Sequence, residues 1–192
     1  MGVGLAGNGR KPGFDGAGKR MTETTDTLEI RTFPDSVLRE KAKPITDIDG
    51  ELQTLADRMI HTMYLAPGIG LAANQVGELR RLIVFERQPG EGRGSPCVMI
   101  KPEIVAREGE IVYEEACLSV VDFSAEVTRC ARVQIRGVDR HGKPMDLEAE
   151  DLLAICLQHE IDHLNGVLFI DHISSLKRSL YKKRLKRQMN ES

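Results

Sequence analysis

Residues 150–166 read EDLLAICLQHEIDHLNG, and their apolar side chains cover more than one face of the helix they predict. Leu152, Ile155 and Cys156 fall on one side, and Leu153, Leu157, Ile161 and Leu164 on another, so this helix belongs inside the molecule rather than on its surface. Asn165-Gly166 gives it a C-terminal stop. His159 and His163 are four positions apart, so both imidazoles leave the same face and can grip one ion, with Glu160 projecting beside them. Two buried neutral histidines without partners would be costly, and a metal is one way to satisfy them.

A catalytic divalent metal normally takes three protein ligands and keeps a position for water. Two candidates complete the set. His172 follows downstream, as the third ligand does in zinc proteases with this motif, but the helix ends before it. Cys117, in EEACLSV at 114–120, is the stronger candidate because a thiolate suits a soft or borderline cation. Three readings stand at this point: a metal-dependent hydrolase, a Cys-His nucleophilic hydrolase, and a nucleic-acid or ribosome-binding protein with a structural metal.

Around the central helix the chain alternates in character. In DGELQTLADRMIHTMYLAPG, Leu52, Leu55, Ala56, Met59, Ile60 and Met63 recur at helical spacing and Pro67-Gly68 ends the pattern, which predicts an amphipathic helix over 49–65. Short β-type runs follow at 81–86, 97–100, 110–115 and 131–138, the last pairing with 144–150 across the turn DRHGK. The fold class expected is α+β: a single domain with a central metal-binding helix wrapped by short antiparallel strands, plus a C-terminal helix.

The chain has 192 residues, enough for one domain with its own core. Residues 1–24, rich in glycine and poor in large apolar side chains, are expected to be a disordered tail ahead of a catalytic domain at 25–174, with a basic C-terminal helix and tail at 175–192. The net charge of −2 exerts no global pull toward nucleic acid or membrane, yet residues 174–188 carry seven basic and no acidic side chains, which leaves the remainder at −9. Cys97, Cys117, Cys130 and Cys156 form no CxxC pair and follow no signal peptide, so a reducing cytoplasm is expected. No apolar stretch approaches the length of a membrane span.

Three stretches together, GIGLAANQ at 68–75, EACLS at 115–119 and QHEIDHLNG at 158–166, resemble the three motifs of peptide deformylases in order and spacing. The resemblance runs from about Leu28 to Leu180. It implies a metal-dependent amidohydrolase that removes the formyl group from the N-terminal methionine of nascent polypeptides and releases formate. It further implies that Cys117, His159 and His163 hold one ferrous ion, a site that zinc, nickel or cobalt can also occupy. Glu160 would act as general base and then general acid, while the Gln75 side chain and the Leu118 backbone N–H would stabilise the oxyanion. The segment at Ile69 and Gly70 would lie along the substrate as an added strand. Ile69 with Leu152, Ile155 and Cys156 would line an apolar pocket for methionine.

Two positions depart from the family pattern. Ala116 stands where glycine is usual, and its added methyl would change how closely substrate approaches; Val121 stands where proline is common. Both bear on efficiency more than on metal binding. In SSLKRSLYKKRLKRQ at 174–188, Ile173, Leu176 and Leu180 are spaced to dock the first turns on the domain, and the part beyond Tyr181 is expected to project. Lys182, Lys183, Arg184, Lys186 and Arg187 would then be free to contact ribosomal RNA, as the C-terminal helix is thought to do in similar deformylases.

Overall fold

Five consecutive buried residues, Leu82–Glu86, form the strand around which the interior is built. The computed structural model describes residues 27–89 and 94–191, so the tail expected at 1–24 lies outside the described residues. In chain order the elements are α1 (Gly50–Leu65), β1 (Gly70–Ala72), β2 (Leu82–Glu86), β3 (Pro96–Glu108), β4 (Ile111–Cys117), β5 (Val120–Arg129), β6 (Arg132–Val138), β7 (Pro144–Glu150), α2 (Asp151–Leu164) and α3 (Ser175–Glu191). One antiparallel sheet runs β1-β2-β3-β6-β7, and β4 and β5 form a separate hairpin.

Both faces of β2 are covered, which explains its unbroken apolar run. Leu82 and Val84 pack with Leu52, Leu55, Met59 and Met63 of α1. Ile83 and Phe85 face the other way and pack with Leu157, Ile161 and Leu164 of α2. Asp49 caps α1, its side chain accepting from the Leu52 N–H at 2.9 Å. Ten of the fourteen residues of α2 are buried, as its all-round apolar pattern required. It stops where Gly166 takes φ +74°, at a place where a Cβ would fall 2.4 Å from the Arg39 carbonyl oxygen. No helix among the described residues is long and apolar enough to cross a membrane.

The α+β class and the β6–β7 pairing agree with the sequence reading, with Val138 opposite Pro144 and Arg132 opposite Glu150. Three features differ. The strand expected at 97–100 continues as β3 to Glu108 because a register shift after Ile100, with Lys101 at φ +53°, carries it past Lys101-Pro102. β1 and β5 were not anticipated: the first is short and glycine-rich, and the second is interrupted by Asp122 at φ +54°. Of the three residues expected to dock α3, Ile173 is buried, but the face of the helix itself that docks is another one. Leu176 and Leu180 are exposed, whereas Tyr181 is buried against Phe33 and Phe123, and Leu185 packs on the same cluster. Ring contacts at Tyr181 turn its face inward instead of the one that carries the two leucines.

An ion-pair clamp ties the N-terminal segment to the 3₁₀ turn Phe169–Asp171 that follows α2. Arg39 grips the Asp171 carboxylate, which also accepts from the Leu168 N–H at 2.9 Å. Burial alone would raise the Asp171 carboxyl, but the Arg39 hydrogen bond, the Leu168 N–H and the charges of Arg39 and Arg178 outweigh it and hold it below its ordinary value. A depressed carboxyl adds stability above its unfolded pKa of about 4 and loses it as pH falls through the lower folded value. Asp171→Asn should cost about 1–2 kcal/mol at pH 7 in urea titrations, with the gap to the parent closing below pH ~4. A gap independent of pH would mean that the carboxylate charge contributes nothing.

Candidate metal centre and substrate cleft

Helix α2 delivers His159 and His163 one turn apart, with their Nε2 atoms 3.2 Å from each other. The thiol arrives from the hairpin. A register shift between Ala116 and Cys117 at the end of β4 turns the Cys117 Sγ inward, 3.2 Å from His163 Nε2. The three donor atoms lie within 4.8 Å of one another. His172, the alternative third ligand, is engaged elsewhere: its Nε2 sits 2.7 Å from Asp162 Oδ2.

A second layer orients these groups. Glu115, two residues before Cys117 on the same strand face, takes the His159 Nδ1–H at 2.8 Å, which turns Nε2 toward the thiol and His163. Glu115 in turn receives two hydrogen bonds from Arg129, at 2.7 and 3.1 Å, and Arg129 also reaches Asp162 at 2.5 Å. Burial would raise the Glu115 carboxyl, yet hydrogen bonds from His159 and Arg129 and their charges bring it down to about 2. For His163, burial first and then the surrounding positive charge push the imidazole well below its ordinary value, so it offers a lone pair. The Ser119 N–H points at Cys117 Sγ from 3.4 Å.

Three donors this close cannot satisfy one another with the protons they share. One borderline divalent cation accepts a thiolate and two imidazoles at once, so the donor set fits a resident metal. Beside it, burial drives the Glu160 carboxyl up to about 7 against the lowering charge of His159. Its Oε2 is buried with no hydrogen-bond partner among the described residues. Gln75 lies in a 3₁₀ turn at Ala73–Val76, where its Oε1 accepts from the Ala72 N–H at 2.8 Å. That leaves the amide Nε2 directed at Ser119 Oγ, 3.2 Å away, and at Cys117 Sγ, 3.7 Å away.

These groups open onto a cleft of about 320 Å³. Gly68, Ile69 and Gly70 form one wall, Tyr113, Glu115, Ala116 and Cys117 of β4 with Leu118 beyond it the other, and Leu152, Ile155 and Cys156 of α2 the apolar floor. Burial, reinforced by the Glu160 and Glu115 charges, raises the Cys156 thiol well above its ordinary value, so it serves as an apolar wall. A Cβ at Gly70 would lie 2.5 Å from Glu160 Oε1 and 2.7 Å from Cys156 Sγ. The glycine thus admits α2 of the same chain.

The sequence pattern of polypeptide deformylases matches residues 27–179. The chain belongs to this family. It is 55% identical over 159 residues to a peptide deformylase of Thermodesulfovibrio yellowstonii, covering 83% of this chain and 96% of that one. A second relative, from Mesorhizobium japonicum, is 53% identical over 156 residues, 81% of this chain and 89% of its own. Among solved structures, the Legionella pneumophila peptide deformylase superposes with a TM-score of 0.78 at 43% identity, covering 86% of this chain and 99% of that chain. The Synechococcus elongatus enzyme in complex with actinonin gives 0.75 at 40%, covering 82% and 85%. As a peptide deformylase the chain is a metal-dependent hydrolase.

Eleven of the twelve residues singled out in the sequence line the cleft: Cys117, His159, Glu160, Gln75, Leu118, Ile69, Gly70, Ala116, Leu152, Ile155 and Cys156. His163 lies behind them and joins the donor cluster. Val121 is exposed and does not line the cleft. Glu115, Arg129, Ser119 and Tyr113 were not foreseen. For Glu115 a signal existed, since alternation in a regular strand puts an acidic residue two before a cysteine on the same side. Glu115→Gln should weaken metal binding by about 10–100-fold in a chelator competition; affinity within twofold of the parent would make Glu115 irrelevant to the ligand's orientation.

Proposed function

We propose that this deformylase removes the formyl group from N-terminal methionine through Glu160, Gln75 and the Leu118 N–H, with Cys117, His159 and His163 holding one ferrous ion. The observation that carries the reading is the Glu160 carboxylate, buried beside the three donors with an unpartnered oxygen and a pKa raised to about 7. A carboxylate poised there can take a proton from water and return it to a leaving amine near neutral pH. Bound at the three donors, the cation supplies Lewis acidity that polarises the formyl carbonyl and makes water easier to deprotonate.

Glu160 takes one proton from the attacking water as its oxygen bonds to the formyl carbon. The Gln75 amide and the Leu118 N–H donate to the oxygen that gains charge. Glu160 then passes the proton to the departing nitrogen as the C–N bond breaks, giving a free methionine amine and formic acid, which ionises to formate by releasing water's second proton. The methionine side chain fits among Ile69, Leu152, Ile155 and Cys156. β1 is an edge strand of the sheet, which favours an extended peptide adding beside Ile69 and Gly70. The ligand chemistry also accepts zinc, nickel or cobalt; iron is proposed from the family resemblance.

Four cysteines without disulfides suit a reducing cytoplasm, where nascent chains emerge. The outer side of α3 exposes Lys182, Lys183, Lys186 and Arg187, which suits contact with ribosomal RNA. Arg184 is already engaged with the Asp122 carbonyl. Changing those four exposed residues to glutamine should weaken ribosome binding at low salt and leave short-peptide turnover intact. The parent affinity should fall roughly a hundredfold between about 50 and 200 mM salt. Equal affinity of variant and parent would make the basic face a solubilising surface only.

Glu160→Gln should retain the metal while turnover of a formyl-methionyl peptide drops by about a hundredfold to ten-thousandfold. A variant within about threefold of the parent would remove Glu160 from proton transfer.

A further inference from the structure

Four rings run in a row from the C-terminal helix to the metal centre. Tyr181 of α3 stacks on Phe123 of β5, with centroids 4.6 Å apart and planes 29° from parallel. Phe123 stacks on Phe169 at 6.0 Å and 23°, and Phe169 on the His159 imidazole at 6.2 Å and 24°. Phe33 closes on Tyr181 from the N-terminal side at 6.2 Å. The row crosses elements far apart in sequence, and its end ring is a candidate ligand.

The same cluster supports a second ligand. Val120, paired with Cys117 across the hairpin turn, is buried among Tyr181, Phe169 and Leu168, and Cys117 itself packs against this group. The Tyr181 hydroxyl is buried with no hydrogen-bond partner among the described residues. A hydroxyl left so costs stability, so what keeps this side chain inside is its ring.

We infer that α3 braces the metal centre, with Tyr181 and Phe123 as positioning residues that hold His159 and the Cys117 hairpin in place for the cation. Tyr181 touches no reacting atom. It limits how far Phe123 and Phe169 can tilt, and so how far the His159 ring can leave the plane in which Glu115 holds its Nδ1. Lys183, Lys186 and Arg187 of the same helix are exposed, whereas Lys182 lies 5.9 Å over the Phe33 ring and Arg184 5.9 Å over the Tyr181 ring, so two of the basic side chains cover the brace. This inference rests on the ligand set proposed above.

The test uses the full-length cobalt-loaded protein. Its thiolate-to-cobalt absorption, present in the parent and abolished by Cys117→Ala, checks the ligand set independently of the brace. Metal loss to excess EDTA is then timed for Tyr181→Phe, Tyr181→Leu and Phe123→Leu. Met59→Ala, in the α1 core on the far side of the sheet, serves as a control for general destabilisation. Tyr181→Phe keeps the ring and should match the parent within twofold, with an unchanged cobalt spectrum. Tyr181→Leu and Phe123→Leu keep apolar bulk without the stacking and should lose cobalt about three- to tenfold faster, with shifted cobalt bands. Metal loss and spectra in both leucine variants equal to those of the parent, or metal loss no faster than in Met59→Ala, would overturn the inference.

Discussion

A thiol and two imidazoles whose donor atoms meet within 4.8 Å at the base of the cleft set the terms for the rest of the structure. They come from elements that have no local reason to meet: a helix that crosses the core and the tip of a hairpin outside the main sheet. Each is brought in by burial. The apolar sides of α2 fix it against Ile83 and Phe85 of the sheet, and Val120, Ala125 and Val127 fix the hairpin against the turn at 168–173. The polar face of α2 is tolerable inside because its groups have partners of matching charge. Glu115, Arg129 and Asp162 form a paired network directly behind His159. Breaking one member of such a network leaves the others buried and uncompensated, so the metal centre and the fold are coupled.

The same packing sets the chemistry of the cleft. Two acidic side chains lie on either side of His159 and are driven in opposite directions. Glu115, hydrogen-bonded by Arg129 and His159, is held down to about 2, while Glu160, buried with fewer donors, is raised to about 7. One carboxylate is thereby a permanent anion that orients a ligand, and the other can exchange a proton near neutral pH. Gly70 lets β1 pass close enough to α2 for Glu160 to stand at the cleft wall.

Much of this was legible in the chain. The histidine pair, the interior helix and the β6–β7 pairing follow from spacing alone, because a helix with apolar residues on all sides has few places to go. The third donor was not fixed by spacing: thiolate chemistry and the end of the helix before His172 favoured Cys117, the resemblance across three motifs agreed, and the structure puts His172 on Asp162. What escaped was non-local. The length of β3 depends on a register shift at Lys101, and the value of Glu115 depends on Arg129, fourteen residues away, returning on β5 to meet it. For α3, leucine spacing pointed to one face, but the rings of Phe33 and Phe123, distant in sequence, selected the face that carries Tyr181.

The account stands on a metal held by Cys117, His159 and His163 and used for deformylation. The most direct test is anaerobic purification of the parent and of Cys117→Ala, with metal content and formate release from formyl-Met-Ala-Ser measured on the same samples. The account predicts about one metal per chain and rapid formate release in the parent, with both lost together in the variant. A fully metal-loaded parent that releases no formate, or a variant that keeps metal and activity, would contradict it.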